Sequence, residues 1–572
     1  MTITYVDPEH PENNIPAGTV VTCYAQGTSS LEYPVKNLRI YFKEDPYTLF
    51  ENVPPVNLFT LKADFMESSS SHNTGTANAL NELYHSIGLD EKLPNKAYFP
   101  SNQNLLTAIL GKPIICFYKP YQNGCSEAYP YYYQYIGRYN FNYDKATHEI
   151  FGFESLTAEE SANGKPYGFL TEEDGETLRA GFNTALEVDE DADRTYYRVP
   201  SLDATDEQKV TIPKKDEDAF EAAAKLGPLY EYKDSKVTTV QCWEFLNNTS
   251  PLIGFRTHWD EEVDKVEVKG KNDEGKEVVL HAPYQDWVGA FESRFPEHTD
   301  EASSDKRALA RVVNWIADLN RHPDVVRAAL QARKDAGEDI EVNDDTIAVE
   351  QEHRLRRFKN EFNDYFLKDF VTFYYILTEF LVMMDSRGKN MMFACYDADP
   401  DNNVGHWLPI FYDMDTMLGL NNSGRLVYSY DVEDDEANLY NLAATYESTQ
   451  YSVLWCNFKD AFQEDIKTMY NNLRNKTVFN INTFLKLYNE RQSDAWNEVY
   501  LNEDADYKYI DPLVNKYTVE VEDDAGNTIT KTASDYLYAA QGSRSQHRAY
   551  WLQRRFDYLD SKYDYAAQKG TS

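Results

Sequence analysis

The sequence predicts an α+β protein of two lobes: a β-rich lobe over residues 1–150, a helical lobe over residues 351–572, and a polar, partly β-stranded insertion over 151–350. Residues 1–62 alternate as strands, whereas the segments from 352 onward carry mostly helical spacing. Between the apolar run ending at Met384 and the acidic triplet Asp413-Met414-Asp415 lie Asp385, Asn390 and two short strand patterns joined by a turn. That order places an amide and three carboxylates at the ends of neighbouring elements, with a cleft expected between the lobes.

Taken in order, residues 20–24 form a strand that runs into the turn Ala25-Gln26-Gly27-Thr28-Ser29-Ser30. Residues 38–42 alternate after Pro34, and residues 58–62 make a third short strand. Ala77, Leu80, Leu83, Tyr84 and Ile87 recur at helical spacing up to Gly88, a suitable helix stop. Residues 113–118 and 135–141 read as a strand pair around a Tyr-rich loop at 129–133. Residues 155–235 are polar and acidic, and 263–280 alternate about Asn272-Asp273-Glu274-Gly275, a hairpin signal. A helix at 304–319, one long helix at 352–384, and helices at 447–473, 481–500 and 544–564 follow, with a hairpin at 516–531.

Composition narrows the class. The chain has 572 residues, 42% of them hydrophobic, with 44 Tyr and 29 Phe, enough apolar surface for a large packed core. A net charge of −39 repels phosphates, so no nucleic-acid partner and no anionic membrane surface is expected. The opening residues carry neither a basic leader nor a long apolar run, and the most apolar stretch, 366–384, contains Lys368, Asp369 and Glu379. No secretory signal and no transmembrane segment are therefore expected. Six cysteines without paired spacing read as free thiols, and no His pair has zinc-ligand spacing.

The candidate site residues follow from what phosphoryl transfer needs. A Lys at the end of a strand, held by a carboxylate from the next helix, reaches nucleotide phosphates, and Lys62 with Glu82 fits that pattern. A surface Lys at a strand end is the plainer alternative. Gly27 and Ser29 lie in a turn whose amides and hydroxyl would cover phosphates, or simply close a hairpin. Asp385 stands where a catalytic loop takes or orients the acceptor proton. Asn390, Asp413 and Asp415 are candidate ligands for Mg2+ or Mn2+ bound with ATP. The His-Arg pair that precedes the catalytic Asp of protein kinases is replaced here by Met383-Met384, so the order of elements carries this assignment. Asp397-Ala398-Asp399-Pro400-Asp401 resembles the front of a calcium loop but lacks its Gly and its later Glu, and reads as a hairpin tip.

On these residues the chain resembles the spore-coat CotH kinase family, and within it the phage-encoded branch associated with tail or baseplate genes. The family's opening turn corresponds to Gln26-Gly27-Thr28-Ser29-Ser30 and its strand entry to Pro34-Val35-Lys36-Asn37. Its Leu-Lys strand corresponds to Leu61-Lys62, its Gly-x-Tyr strand to Gly137-Arg138-Tyr139, and its catalytic loop to Asp385 with Asn390. The Trp-Asp-x-Asp signature reads Tyr412-Asp413-Met414-Asp415, and the final helix with spaced Arg matches Arg544, Arg548, Arg554 and Arg555. Gln26 stands where the family has Arg, and Tyr412 where it has Trp; residues 155–345 contribute little to the match. The resemblance implies a kinase-like two-lobe fold, active or as a pseudokinase. It implies a structural protein of the virion, made in the host cytoplasm and assembled symmetrically with other tail proteins. The alternative is an active atypical protein Ser/Thr kinase using MgATP.

Overall fold

The computed structural model describes residues 1–8, 10–27, 31, 36–51, 53–63, 72–93, 107–118, 134–153, 194–199, 204–212, 217–231, 240–245, 265–271, 277–283, 291–295, 307–383, 386–388, 390–398, 404–419, 428–433, 445–446, 451–476, 478–489, 518–522, 527–532 and 544–565. Two compact units emerge, one of residues 1–96, 101–153 and 240–572, the other of 97–100 and 154–239. The separate body is thus narrower than the expected insertion at 151–350, whose second half belongs to the larger unit. The smaller unit has a three-stranded antiparallel sheet with Arg194–Tyr197 at its centre and the helix Glu217–Ala224 beside it. Tyr196, Ile212 and Leu229 form its core.

The larger unit opens with a six-stranded antiparallel sheet: β1 (Thr2–Tyr5), β2 (Ile15–Gln26), β3 (Asn37–Phe42), β4 (Leu58–Lys62), β5 (Gly111–Tyr118) and β6 (Gln134–Tyr143), in the order β1-β2-β3-β4-β6-β5. Its inner face is aromatic. Phe59 packs its ring 5.1 Å from Phe141 and 5.5 Å from Phe42. Helix α1 (His72–Ser86) connects β4 to β5 and buries Ala77, Leu80, Leu83 and Tyr84.

A second antiparallel sheet is built from β7 (Gln241–Phe245), β8 (Phe291–Phe295), β9 (Met391–Cys395) and β10 (Trp407–Ile410), in the order β8-β7-β9-β10. The described helices of this part of the chain are α2 (Arg307–Asp318), α3 (Pro323–Asp335), α4 (Asp344–Glu361), α5 (Lys368–Leu381), α6 (Val453–Ala461), α7 (Gln463–Arg474), α8 (Ile481–Asn489) and α9 (Arg544–Lys562), of which α5 packs on β10 and α8 on α1. The hairpins expected near 263–280 and 516–531 occur as Lys265–Lys271 with Glu277–Pro283 and Thr518–Glu522 with Thr528–Thr532. The chain is α+β. Among the described residues no helix is long and apolar enough to cross a membrane, and the five described cysteines are free.

Two expected helices are each split. The run predicted at 352–384 breaks between α4 and α5, because the intervening chain turns to bond the edge of β10. Trp407 N donates to Tyr365 O (2.8 Å), and Leu367 N donates to Trp407 O (3.0 Å). Phe362 and Phe366 stack at the break, 5.0 Å apart, so the aromatic core continues where the helix does not. The run predicted at 447–473 divides into α6 and α7 at Phe462, which closes one helix and opens the next.

The last helix closes the unit. Arg555, almost fully buried on α9, donates to the carbonyls of Tyr430 (2.8 Å), Val432 (3.0 Å) and Glu379 (2.7 Å). Lys562 pairs with the buried Glu379 carboxylate at 2.7 Å. Two of the Arg residues matched to the family's final helix thus hold carbonyls, since Arg548 also donates to Tyr488 O at 3.4 Å.

Candidate functional site

The cleft of interest is lined by residues of β2, β4, β6, α1 and the segment after β10. Its lining includes Gln26, Thr60, Lys62, Asn73, Lys145, Tyr412 and Asp413. All lie in the larger unit.

Lys62 is the last residue of β4, so the sheet fixes its direction. Its ammonium lies 3.5 Å from Asp413 Oδ1, while Asn390 Nδ2 donates to Asp413 Oδ2 at 3.2 Å. One carboxylate is therefore gripped by a strand-end cation and a loop amide. Asn390 and Asp413 both adopt left-handed backbone, at φ 53° and 51°. Asn and Asp tolerate that region better than other residues with a Cβ. These two turns aim the side chains at each other.

The chain around them is anchored on both sides. Buried Arg387 donates to Thr378 Oγ1 and to Tyr375 O, both at 3.0 Å, and Trp455 Nε1 donates to Arg387 O at 3.0 Å. The tripeptide Ser386-Arg387-Gly388 is thereby tied to α5 and α6. On the other side, Phe411 N donates to Thr107 O at 3.0 Å, Met414 N donates to Asn73 Oδ1 at 2.7 Å, and His72 Nδ1 bonds Asp415 O at 3.0 Å. The buried polar first turn of α1 thus holds the segment that carries Asp413.

Several expected residues stand elsewhere. Glu82 is exposed on α1, on the face opposite Leu80, Leu83 and Tyr84, and the carboxylate at Lys62 is Asp413 instead. Gly27 is exposed just past β2 at φ 113°, while its neighbour Gln26 lines the cleft. The Asp415 carboxylate is not among the cleft-lining groups; its backbone carbonyl is what α1 uses. Asp385 and Ser29 lie outside the described residues.

The cleft also contains groups that local sequence patterns did not reveal. Lys145, just past β6, bonds the two oxygens of Glu244 on β7 at 2.9 and 2.8 Å, and Arg294 Nε on β8 meets the same carboxylate at 2.5 Å. Burial lowers the Lys145 ammonium from its ordinary value, against the pull of Glu244 and with the push of Arg294. Tyr412 has Lys145 4.7 Å and Lys62 6.0 Å from its ring centre. Burial, reinforced by Asp413 and Glu244, pushes its phenol well above the ordinary range. Asp144 lines the cleft too and takes both arms of Arg39 at 2.9 Å. Lys145, Glu244 and Arg294 come from segments far apart in sequence, so no spacing signal could have brought them together.

Asp413 and Asn390 supply a carboxylate and an amide, the oxygen donors that Mg2+ takes together with phosphate oxygens and water. Among the described residues, no group of three or more His, Cys, Asp or Glu is placed to hold an ion unaided. Compared with protein-family models and with curated proteins, the sequence matches none.

Proposed function

We propose that this chain is a structural component of a phage tail or baseplate, built on a CotH-like two-lobe kinase fold whose cleft takes ATP with Mg2+ or Mn2+. The nucleotide part rests on one observation, the meeting of Lys62, Asn390 and Asp413 around a single carboxylate. A strand-end Lys, a loop Asn and an Asp following a strand are the protein side of a phosphoryl-transfer site. On this reading Lys62 turns from Asp413 to the phosphates, and Asn390 rotates its amide to present oxygen. Arg387 and the first turn of α1 keep both segments from moving apart. The metal, when bound with the nucleotide, neutralises phosphate charge. The virion part rests on the sequence resemblance and on the acidic, aromatic-rich chain.

The second reading is an active protein Ser/Thr kinase, favoured by the anchoring of Ser386-Arg387-Gly388 directly beside Asp385 in the chain. Mass spectrometry of purified particles of the encoding phage tests the first reading: a stoichiometric copy number supports it, and absence from the particle refutes it. Incorporation of labelled phosphate from ATP into protein, lost in Asp413→Ala, supports the second. Failure of MgATP to bind at millimolar concentration removes the nucleotide from both.

A further inference from the structure

The geometry points to Lys145 as a second phosphate-binding residue of the cleft, positioned by Glu244 and Arg294 and selecting a polyphosphate chain over a single phosphate. The inference rests on the nucleotide reading above and extends it to a residue outside the matched motifs.

Lys62 and Lys145 line the same cleft and approach the same Tyr412 ring, at 6.0 and 4.7 Å. Each is held by a carboxylate, Lys62 by Asp413 and Lys145 by Glu244. The two tethers differ. Asp413 is partly exposed, whereas Glu244 is buried with only 1% of its side chain accessible. Glu244 is also divided between two cations, Lys145 and Arg294, and so offsets the charge of Lys145 only in part. A buried carboxylate bonded on both sides fixes the ammonium without cancelling it. Held in this way, Lys145 loses little side-chain freedom when an anion arrives, and a pre-positioned cation binds better for that reason.

The ligand chemistry follows. A triphosphate spreads its charge over three linked groups, and a cleft lined by two ammoniums, each on its own tether, can meet two of them. A nucleoside monophosphate offers one group, which Lys62 beside Asp413 already serves. Lys145 therefore discriminates by phosphate number.

Isothermal titration of MgATP and AMP into wild type, Lys145→Met, Lys145→Arg, Glu244→Gln and Lys62→Met tests this, with thermal melting of each variant alongside. Lys145→Met is expected to weaken MgATP by roughly tenfold or more and AMP by less than about twofold, while Lys145→Arg stays within about threefold for both. Glu244→Gln keeps the lysine but frees it, and is expected to weaken MgATP selectively. Should Lys145→Met not fold, the Glu244→Gln and Lys145→Arg comparison gives the same discrimination. Lys145→Met with unchanged MgATP affinity and a lower melting temperature, beside a Lys62→Met that no longer binds, overturns the role of Lys145 and leaves the cleft reading intact. Equal loss for MgATP and AMP also overturns it. A wild type that binds no MgATP overturns both.

Discussion

Asp413→Asn removes one charge from the cleft and keeps the shape of the side chain. Asp413 sits at φ 51°, a left-handed conformation that Asn adopts as readily as Asp, so the backbone is expected to hold. The stability cost is small. The Lys62 pair is 3.5 Å long between side chains 19% and 25% exposed, and solvent screening leaves such a pair about 0–1 kcal/mol. On the proposed nucleotide reading the ligand cost is larger, because a charged oxygen donor to the metal–phosphate cluster would be lost; ~3 kcal/mol corresponds to roughly 100-fold in Kd. Asp415→Asn is the control. Its carboxylate does not line the cleft and its carbonyl, the atom bonded to His72, is unchanged, so Kd is expected to move less than about threefold. Titration calorimetry with MgATP and MnATP, beside thermal melts, measures both quantities. An Asp415→Asn variant that loses as much affinity as Asp413→Asn refutes the assignment of the metal to Asp413. An Asp413→Asn variant that melts far below wild type shows that the carboxylate is chiefly structural.

Three further outcomes follow from the packing around the cleft. A Cβ at Gly75 would lie 2.5 Å from Tyr488 Cδ1, and that ring is pinned by a 2.6 Å bond to Thr76; Gly75→Ala should lose about 0–2 kcal/mol after its gain in helix propensity, and Gly75→Val more, read by urea unfolding. Arg555→Met removes a donor from three carbonyls, two of them in buried bonds, and should cost about 2 kcal/mol or more, so a melting curve close to wild type contradicts the closing role of α9. On the β9–β10 hairpin, the hydrogen bond to Asp397 raises His406 above its ordinary 6.5, while Asp397, pushed up by burial, is pulled further down by His406 to below its ordinary 3.8. Their mutual stabilisation is then full between about pH 4 and 6.5, fades as pH rises through the raised His406 value, and fades again as pH falls through the depressed Asp397 value. An NMR titration placing His406 at or below 6.5 contradicts it.

Much of the fold could be read from local pattern. Alternation marked β2 to β4, Gly88 marked the end of α1, and the hairpins at 265–283 and 518–532 announced themselves by polar turns between β-rich runs. Lys62 was legible because it ends β4, which sets its direction, whereas Asn390 just before β9 and Asp413 three residues past β10 are aimed by their own left-handed turns. The break at 362–367 was not legible, since its cause is a backbone bond to Trp407 some forty residues on, with no Pro or Gly to mark it. Glu82 was assigned to Lys62 because it lies on the right helix, but helical phase puts it on the outer face. His72 and Asn73 carried a signal that was missed: polar residues crowded at a helix start are buried only if they bond something, and here they hold the Asp413 segment.

The span of the Lys62–Asp413 contact bears on how the protein is made. Asn390 and Asp413 are 23 residues apart, whereas Lys62 and Asp413 are separated by 351 and Thr76 and Tyr488 by 412. From 23 to 351 is nearly four doublings of loop length, which adds about 2.4 kcal/mol of closure entropy for the longer contact. During synthesis the first sheet leaves the ribosome long before α8 exists to cover α1, or the segment after β10 to bond its first turn. Until then its buried polar turn and the apolar face behind it wait uncovered, a condition that invites aggregation and chaperone binding. The two ends of the cleft are thus expected to meet late in folding, after α9 has taken hold of the carbonyls at 379, 430 and 432.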